Sequence, residues 1–408
     1  MAYRTATLAF LFGLVTAAHG LEWRLRAGSD IIGEQFYLIE RDTLDVSTEL
    51  RGQLQTLWDH DGRRWRGVRV DHRLGGGTHS LRDDVSGEGT FVIDSTWQAE
   101  GRLLGAARHY LATASGARSD FVEGRASVLL RHGRPGVGQS WGIDQGVEGL
   151  SYRQHSPLLL NAARHWHGIV FDGQHAFDLY GARAAVEHEI VPDSSGLGFW
   201  GLAADAYGMR GLSAAWDASG DLSLVLRRYR DRAAHPHEAD LDGRLRAGWR
   251  FAPTWSFEAS TGATAVRYSP ADSIYYDVLR LQPAVELVWW PTWGSIRLGP
   301  TVAWQRSASL RGEDYVQWGA QAGTSVLSGR LGFVDLAAQV GRRNYVYPDE
   351  AVFTDYTYWD LTLVVAARLP GGVQLDTFLI GRTEGHRERG ENTRSILLTV
   401  DVSRALRR

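Results

Sequence analysis

The sequence contains no cysteine and no lysine; all 44 of its basic residues are arginine. Without cysteine, disulfides and thiolate metal sites are excluded. Without lysine, Schiff-base chemistry is excluded, because it needs a primary amine. Beyond the first 20 residues no stretch approaches the ~18 consecutive apolar residues of a helical membrane span. No Pro/Ser-rich boundary divides the chain, and its 47 glycines are scattered rather than gathered into a linker. Charge of either sign is not in excess, with 44 basic against 47 acidic residues, which does not suggest a nucleic-acid partner. No cofactor motif is present. Gly75-Gly76-Gly77 is followed by neither a lysine nor a helical pattern, so it reads as the flexible start of a loop and not as a phosphate loop.

What is present begins with a secretory signal over residues 1–20. Arg4 supplies the positive n-region, residues 8–15 the apolar core, and Ala18-His19-Gly20 a small-x-small cleavage site. The apolar run is too short to span a bilayer. The mature chain is expected to start near Leu21 and to form one domain over residues 21–408.

From residue 222 to 403 the chain alternates polar and apolar positions in a series of hairpins. Their tight connections are Phe251-Ala252-Pro253-Thr254, Pro291-Thr292, Ser328-Gly329 and Pro370-Gly371-Gly372. Longer polar links fall at 231–240, 269–273, 306–312, 344–354 and 383–391. In residues 359–369 one parity is Trp359, Leu361, Leu363, Val365, Ala367 and Leu369, while the other carries Asp360, Thr362 and Arg368. Side chains alternate across a strand, so each segment has one apolar and one polar face. A water-soluble sandwich would alternate too. The aromatics separate the two: Trp255, Trp289, Trp290 and Trp293 lie beside the tight turns, and Tyr268, Tyr275, Trp304, Tyr315, Trp318, Tyr356 and Trp359 lie toward the long links. Two such girdles, about ten residues apart, are what the two surfaces of a bilayer select.

The same rhythm extends backwards. Turns are expected at 59–62, Glu100-Gly101, 133–140, Asp172-Gly173 and 217–220. Longer links are expected at 28–42, 75–89, 112–120, 154–161 and 191–197. With residues 22–27 as a short first strand the count is 20, and 18 is the alternative. Residues 28–42 contain Ile31-Ile32 and Phe36-Tyr37-Leu38-Ile39, too apolar for a free loop. They are expected either to fold into the lumen as a constriction or to continue the first strand, the second being favoured. The expected fold is all-β: a transmembrane antiparallel up-and-down β-barrel with both termini periplasmic. Twenty strands give a backbone diameter on the order of 40 Å, too wide for side chains to fill.

On the signal, the hairpin series and the aromatic girdles, the chain resembles a bacterial (Gram-negative) outer-membrane β-barrel, porin-like in architecture. The resemblance covers the whole mature chain but singles out no one family. It departs from the commonest porins at its end, Leu406-Arg407-Arg408, where such barrels carry an aromatic residue. It implies an outer-membrane location, reached through the periplasm, with outer-membrane lipid, lipopolysaccharide and the barrel-assembly machinery as partners.

A charge on the lipid face at mid-bilayer costs ~2–4 kcal/mol, so the charged parity must face the lumen. Its residues, expected to form a substrate-binding lumen wall, are Arg227, Arg244, Arg246, Arg250, Arg280 and Arg297 with Glu258, Glu286, Asp335, Asp360 and Asp376. The bases concentrate on strands 222–306 and the acids on 331–382, which would set up a transverse field. Alternatively the charges simply pair and solvate the wall. His155, His165, His167, His175 and His188 lie close in sequence, but no third ligand closes a metal site. His79-Ser80 and Asp83-Asp84 have no motif-level spacing, so no enzyme is expected. The expected function is a channel for polar or anionic solutes. The alternatives are an export conduit for an anionic polysaccharide or protein, working with periplasmic export proteins, and a surface adhesin or structural barrel.

Overall fold

The computed structural model describes residues 21–38, 41–77, 80–110, 120–134, 137–153, 159–233, 235–328 and 332–406; the expected signal over residues 1–20 lies outside them. The first ten strands are β1 (Leu21–Leu38), β2 (Arg41–His60), β3 (Trp65–Gly77), β4 (Ser80–Val92), β5 (Trp97–Tyr110), β6 (Phe121–Arg134), β7 (Val137–Tyr152), β8 (Ala162–His175), β9 (Asp178–Ile190) and β10 (Phe199–Gly211). The second ten are β11 (Trp216–Tyr229), β12 (His237–Ala252), β13 (Trp255–Ser269), β14 (Val278–Trp289), β15 (Gly294–Arg306), β16 (Tyr315–Ser328), β17 (Gly332–Tyr345), β18 (Tyr356–Leu369), β19 (Val373–His386) and β20 (Thr393–Leu406).

Every strand pairs antiparallel with its sequence neighbours, and β1 pairs with both β2 and β20, so the sheet returns on itself without an open edge. Closure leaves no unpaired row of backbone N–H and C=O groups to face lipid. Following paired residues once round the sheet displaces the register by about 24 residues. With strands ~4.8 Å apart and ~3.4 Å per residue, that displacement tilts the strands by about 40° and sets a backbone diameter of about 40 Å.

Register assigns the faces. Side-chain hydrogen bonds that skip a strand form most readily where side chains converge, on the concave side of a closed sheet. Such bonds join Tyr207 on β10 to Asp172 on β8 (2.9 Å), Gln317 on β16 to Tyr358 on β18 (2.8 Å), and Gln339 on β17 to Thr301 on β15 (3.1 Å). The parity that carries these residues is therefore the inner face. Among the described residues, the one that joins two strands on the opposite parity, Gln139 to Tyr180 (3.3 Å), forms because the tyrosine ring lies across the bare backbone of Gly173. On β12 it holds Glu238, Asp240, Asp242, Arg244, Arg246 and Arg250, and the outer parity holds Ala239, Leu241, Leu245, Ala247, Trp249 and Phe251.

The outer face carries two aromatic levels. Beside the tight turns Trp97 meets Trp141 at 5.5 Å, Trp216 meets Trp249 at 5.5 Å and Trp255 meets Trp289 at 6.0 Å between ring centroids. Toward the longer connections stand Trp200, Trp304, Trp318 and Trp359. Corrected for the climb of the register, the two levels are about ten residues apart, or about 25 Å along the barrel axis, the height of an outer-membrane apolar band.

Several expected boundaries move. Three of the tyrosines assigned to the outer girdle, Tyr268, Tyr315 and Tyr356, have inner parity, so the loop-side girdle is built of tryptophan. Glu100-Gly101, Asp172-Gly173 and 217–220 lie inside β5, β8 and β11 rather than in turns. The turns sit where a side-chain oxygen captures backbone N–H groups. Asp94 Oδ1 accepts from the amides of Thr96 (2.7 Å) and Trp97 (2.8 Å), and Ser213 Oγ accepts from those of Ala215 (3.2 Å) and Trp216 (3.1 Å). Such capping competes well with a glycine-based turn. Residues 28–38 continue β1, which excludes the lumen-constriction alternative for them, and the strand count stays at 20. Gly75-Gly76-Gly77 likewise completes β3, paired with Arg51, Gly52 and Gln53.

Candidate functional site

The inner wall is the candidate site, and among the described side chains it is charged on most strands, with β16 the exception: its inward Gln317, Gln321 and Ser325 are polar but neutral. All 11 residues expected on the lumen wall, from Arg227 to Asp376, lie on the inner parity of their strands. They are not segregated by sign. Arg227 reaches Glu238 at 2.9 Å, Arg246 reaches Glu258 at 2.8 Å, and Arg297 stands 3.7 Å from Asp335. Asp360 lies 3.7 Å from Arg382, and Asp376 accepts two hydrogen bonds of 3.0 Å from Gln374. Strands 222–306 also carry the inward acids Glu238, Asp240 and Asp242, and strands 331–382 the inward Arg343, Arg368 and Arg382. Alternating signs on neighbouring strands cancel most of a transverse field, so the expected opposed walls are replaced by a ladder of local pairs.

Three arginines stand apart from that ladder. Among the described residues, Arg244 and Arg250 have no carboxylate within 4.0 Å, and both are exposed. Arg280 donates from Nε (3.0 Å) and Nη2 (2.7 Å) to the neutral amide oxygen of Gln305, which holds the guanidinium without neutralising it. Glu258 and Glu286 face each other across β13 and β14, with Arg246 balancing the first.

One recess in the wall was not singled out in the sequence. A recess of about 710 Å³ opens on the inner faces of β3 to β9. Arg131 is its anchor. Nε donates to Glu100 (2.8 Å), and Nη1 donates to Ser140 (3.0 Å) and to Asp172, whose other oxygen accepts from the Tyr207 hydroxyl (2.9 Å). Arg183 pairs with Asp144 at 2.6 Å, and the Trp166 indole N–H donates to the same carboxylate at 3.3 Å. Arg125 lies 4.8 Å above the Trp166 ring, and Asp71 accepts from Gln55 (2.8 Å) and Arg73 (2.7 Å). A Cβ at Gly146 would meet the Trp166 ring at 2.0 Å, so the indole lies across a bare stretch of β7 that only glycine provides. Placing Glu100 and Asp172 in turns hid this network. The alternation Arg69, Asp71, Arg73 is the sequence signal that could have revealed it.

The remaining candidates scatter. His165, His167 and His188 face outward, with ring centroids 5.8 and 5.0 Å apart, and His188 stacks on Trp200 at 4.1 Å. Among the described residues no three His, Cys, Asp or Glu side chains gather as a metal site would need. Asp83 faces outward against His72 (2.8 Å) and Asp84 inward against Arg82, so the two do not act together; His79 and His155 lie outside the described residues.

The longer connections are laced to one another round the rim. Asn161 donates to Asp193 (2.9 Å), Arg232 to Ser269 (3.1 Å), Asp277 to Ser309 (3.2 Å) and Val346 to Asp314 (2.9 Å), while Thr354 donates twice to Glu391 (2.8 and 2.6 Å). Glu391 is partly desolvated, which would raise its pKa, but the Thr354 hydroxyl and amide and the nearby His386 hold it below the ordinary glutamate value.

No protein-family model and no curated protein sequence matches the chain. Solved structures do. The siderophore receptor PirA from Pseudomonas aeruginosa aligns at 9% identity over 95% of this chain and 80% of its own, with a TM-score of 0.55. OpdQ from Pseudomonas aeruginosa aligns at 10% identity over 95% and 98%, TM-score 0.50. OccAB4 from Acinetobacter baumannii aligns at 9% identity over 95% and 99%, TM-score 0.50. With its closed antiparallel sheet, its two tryptophan levels and its charged interior, the chain has the fold of the Gram-negative outer-membrane β-barrels.

Proposed function

We propose that the protein is an outer-membrane channel that passes small polar and anionic solutes by diffusion. Its turn side and both termini face the periplasm, and its longer connections face outside. The observation that carries this function is the polar, largely ionised inner wall of a ring about 40 Å across. Eight strands suffice for side chains to fill a barrel, whereas 16 to 18 already leave an aqueous channel. Loops laced to their neighbours at the rim favour an open mouth. Among the 11 inward residues, Arg244, Arg250 and Arg280 are the positions that offer charge to a passing anion, since the others are largely occupied by their own partners. A guanidinium keeps its charge in any pore and grips carboxylate or phosphate through two parallel bonds.

The test is ion preference. The double variant R244E/R280E, reconstituted in planar bilayers under a salt gradient, is expected to fold and to shift its reversal potential toward cations. R246Q should shift it less, because Glu258 already offsets that charge. An unchanged reversal potential in the folded double variant would remove these arginines from the conducting path.

A further inference from the structure

The outer face holds arginines that the lumen does not explain. Arg228, Arg267, Arg306, Arg342 and Arg394 all have outer parity and are all exposed. Each stands at the loop end of its strand, on β11, β13, β15, β17 and β20. Corrected for the climb of the register, about 1.2 residues per strand, the five fall within about two residues of one height, a belt about 5 Å deep. The belt lies one to two residues, roughly 4 Å, beyond the level of Trp200, Trp304, Trp318 and Trp359.

That height decides what the belt meets. Indole rings mark the boundary between apolar band and headgroups, so a guanidinium just beyond them is level with headgroups. The charges are not used internally. Arg342 has only a long contact with Asp355, 3.8 Å, and Arg306 leans over Trp304 at 5.3 Å. Among the described residues Arg228, Arg267, Arg306 and Arg394 have no carboxylate within 4.0 Å. By contrast, Arg153 lies 3.3 Å from Asp120 at the loop side, and Arg210 3.6 Å from Asp178 at the turn side.

We propose that this belt on β11 to β20 is a binding surface for the phosphate groups of lipopolysaccharide, a phosphorylated glycolipid that fills the outer leaflet. The proposal rests on the outer-membrane orientation given above, and not on the channel conducting. Spacing by alternate strands from β11 to β17 places neighbouring arginines about 12 Å apart along the belt, so one glycolipid carrying two phosphates can engage two of them, each by a bidentate charge-assisted pair.

The test uses purified, folded protein and measures binding of bisphosphorylated lipid A by native mass spectrometry and by retention in lipid-exchanged micelles. The wild-type chain should bind it, and R228Q/R267Q/R306Q/R394Q should bind at least tenfold more weakly. R210Q, at the turn side, should match wild type. Monophosphorylated lipid A should bind more weakly than the bisphosphorylated form, and millimolar inorganic phosphate should not displace either. Should the quadruple variant fail to show heat-modifiable mobility, R267Q/R306Q supplies the same comparison with a severalfold loss. Equal binding by wild type and folded variants overturns the proposal, and displacement by inorganic phosphate would make the belt a site for free anion instead. Conductance is recorded on the same samples: a silent wild type that still loses lipid A with the variants refutes the channel and leaves the belt.

Discussion

Replacing Leu245 by arginine puts the face assignment at stake. Leu245 has outer parity on β12, is 65% exposed, and lies between Gly220 and Thr261 on the adjoining strands. It sits near the middle of the band of about 25 Å that separates the two tryptophan levels. An arginine on the lipid face at that depth costs about 2–4 kcal/mol, roughly 30- to 900-fold in the folding equilibrium. Its neighbour Arg244 faces the other way, into water, so R244Q should change stability by less than about 0.5 kcal/mol. The assay is urea-driven unfolding and refolding in phospholipid vesicles, followed by tryptophan fluorescence. A neutral L245R beside a strongly destabilised R244Q would invert the faces and turn the charged wall out of the lumen.

Other outcomes follow from particular contacts. In R131Q the carboxylates of Glu100 and Asp172 lose their shared cation, which should cost about 3 kcal/mol in the same assay; R131Q/D172N should recover part of it. In G341A the new methyl would meet the Trp318 carbonyl at 2.5 Å and the Tyr358 hydroxyl at 2.6 Å, a loss of about 1–3 kcal/mol that Y358F should relieve only partly. Glu391, with its pKa depressed in the folded chain, gives rim stability that is full above the ordinary glutamate pKa and is lost as pH falls through the depressed one. Limited proteolysis of the connection between β19 and β20 should therefore accelerate at acid pH in wild type. E391Q should be cut faster already at neutral pH and should lose the acid step.

What could be read from the sequence divides along a physical line. The C-terminal hairpins are legible because nearly all of their polar parities carry charge and each tight turn carries proline or glycine, as at Pro291 and Pro370-Gly371-Gly372. All 11 inward residues there have their parity correct. In the N-terminal half the turns are made by Asp94 and Ser213 side chains and by Ala176, whose φ is 52°, none of which competes on paper with Asp172-Gly173 or Glu100-Gly101. Moving those boundaries hid the Arg131 network. Pairing was invisible for a different reason: which arginine meets which carboxylate depends on register between strands, and alternation within one strand does not contain it. The same holds for the arginine belt, whose members look unrelated until the shear of the sheet brings them to one height.

Whether the lumen is open and water-filled is tested most directly by single-channel recording. Wild-type protein, shown to be folded by heat-modifiable mobility and inserted into planar bilayers, should produce discrete, ohmic conductance steps. Folded protein that inserts and yields no steps would contradict a channel and leave a plugged or structural barrel in its place.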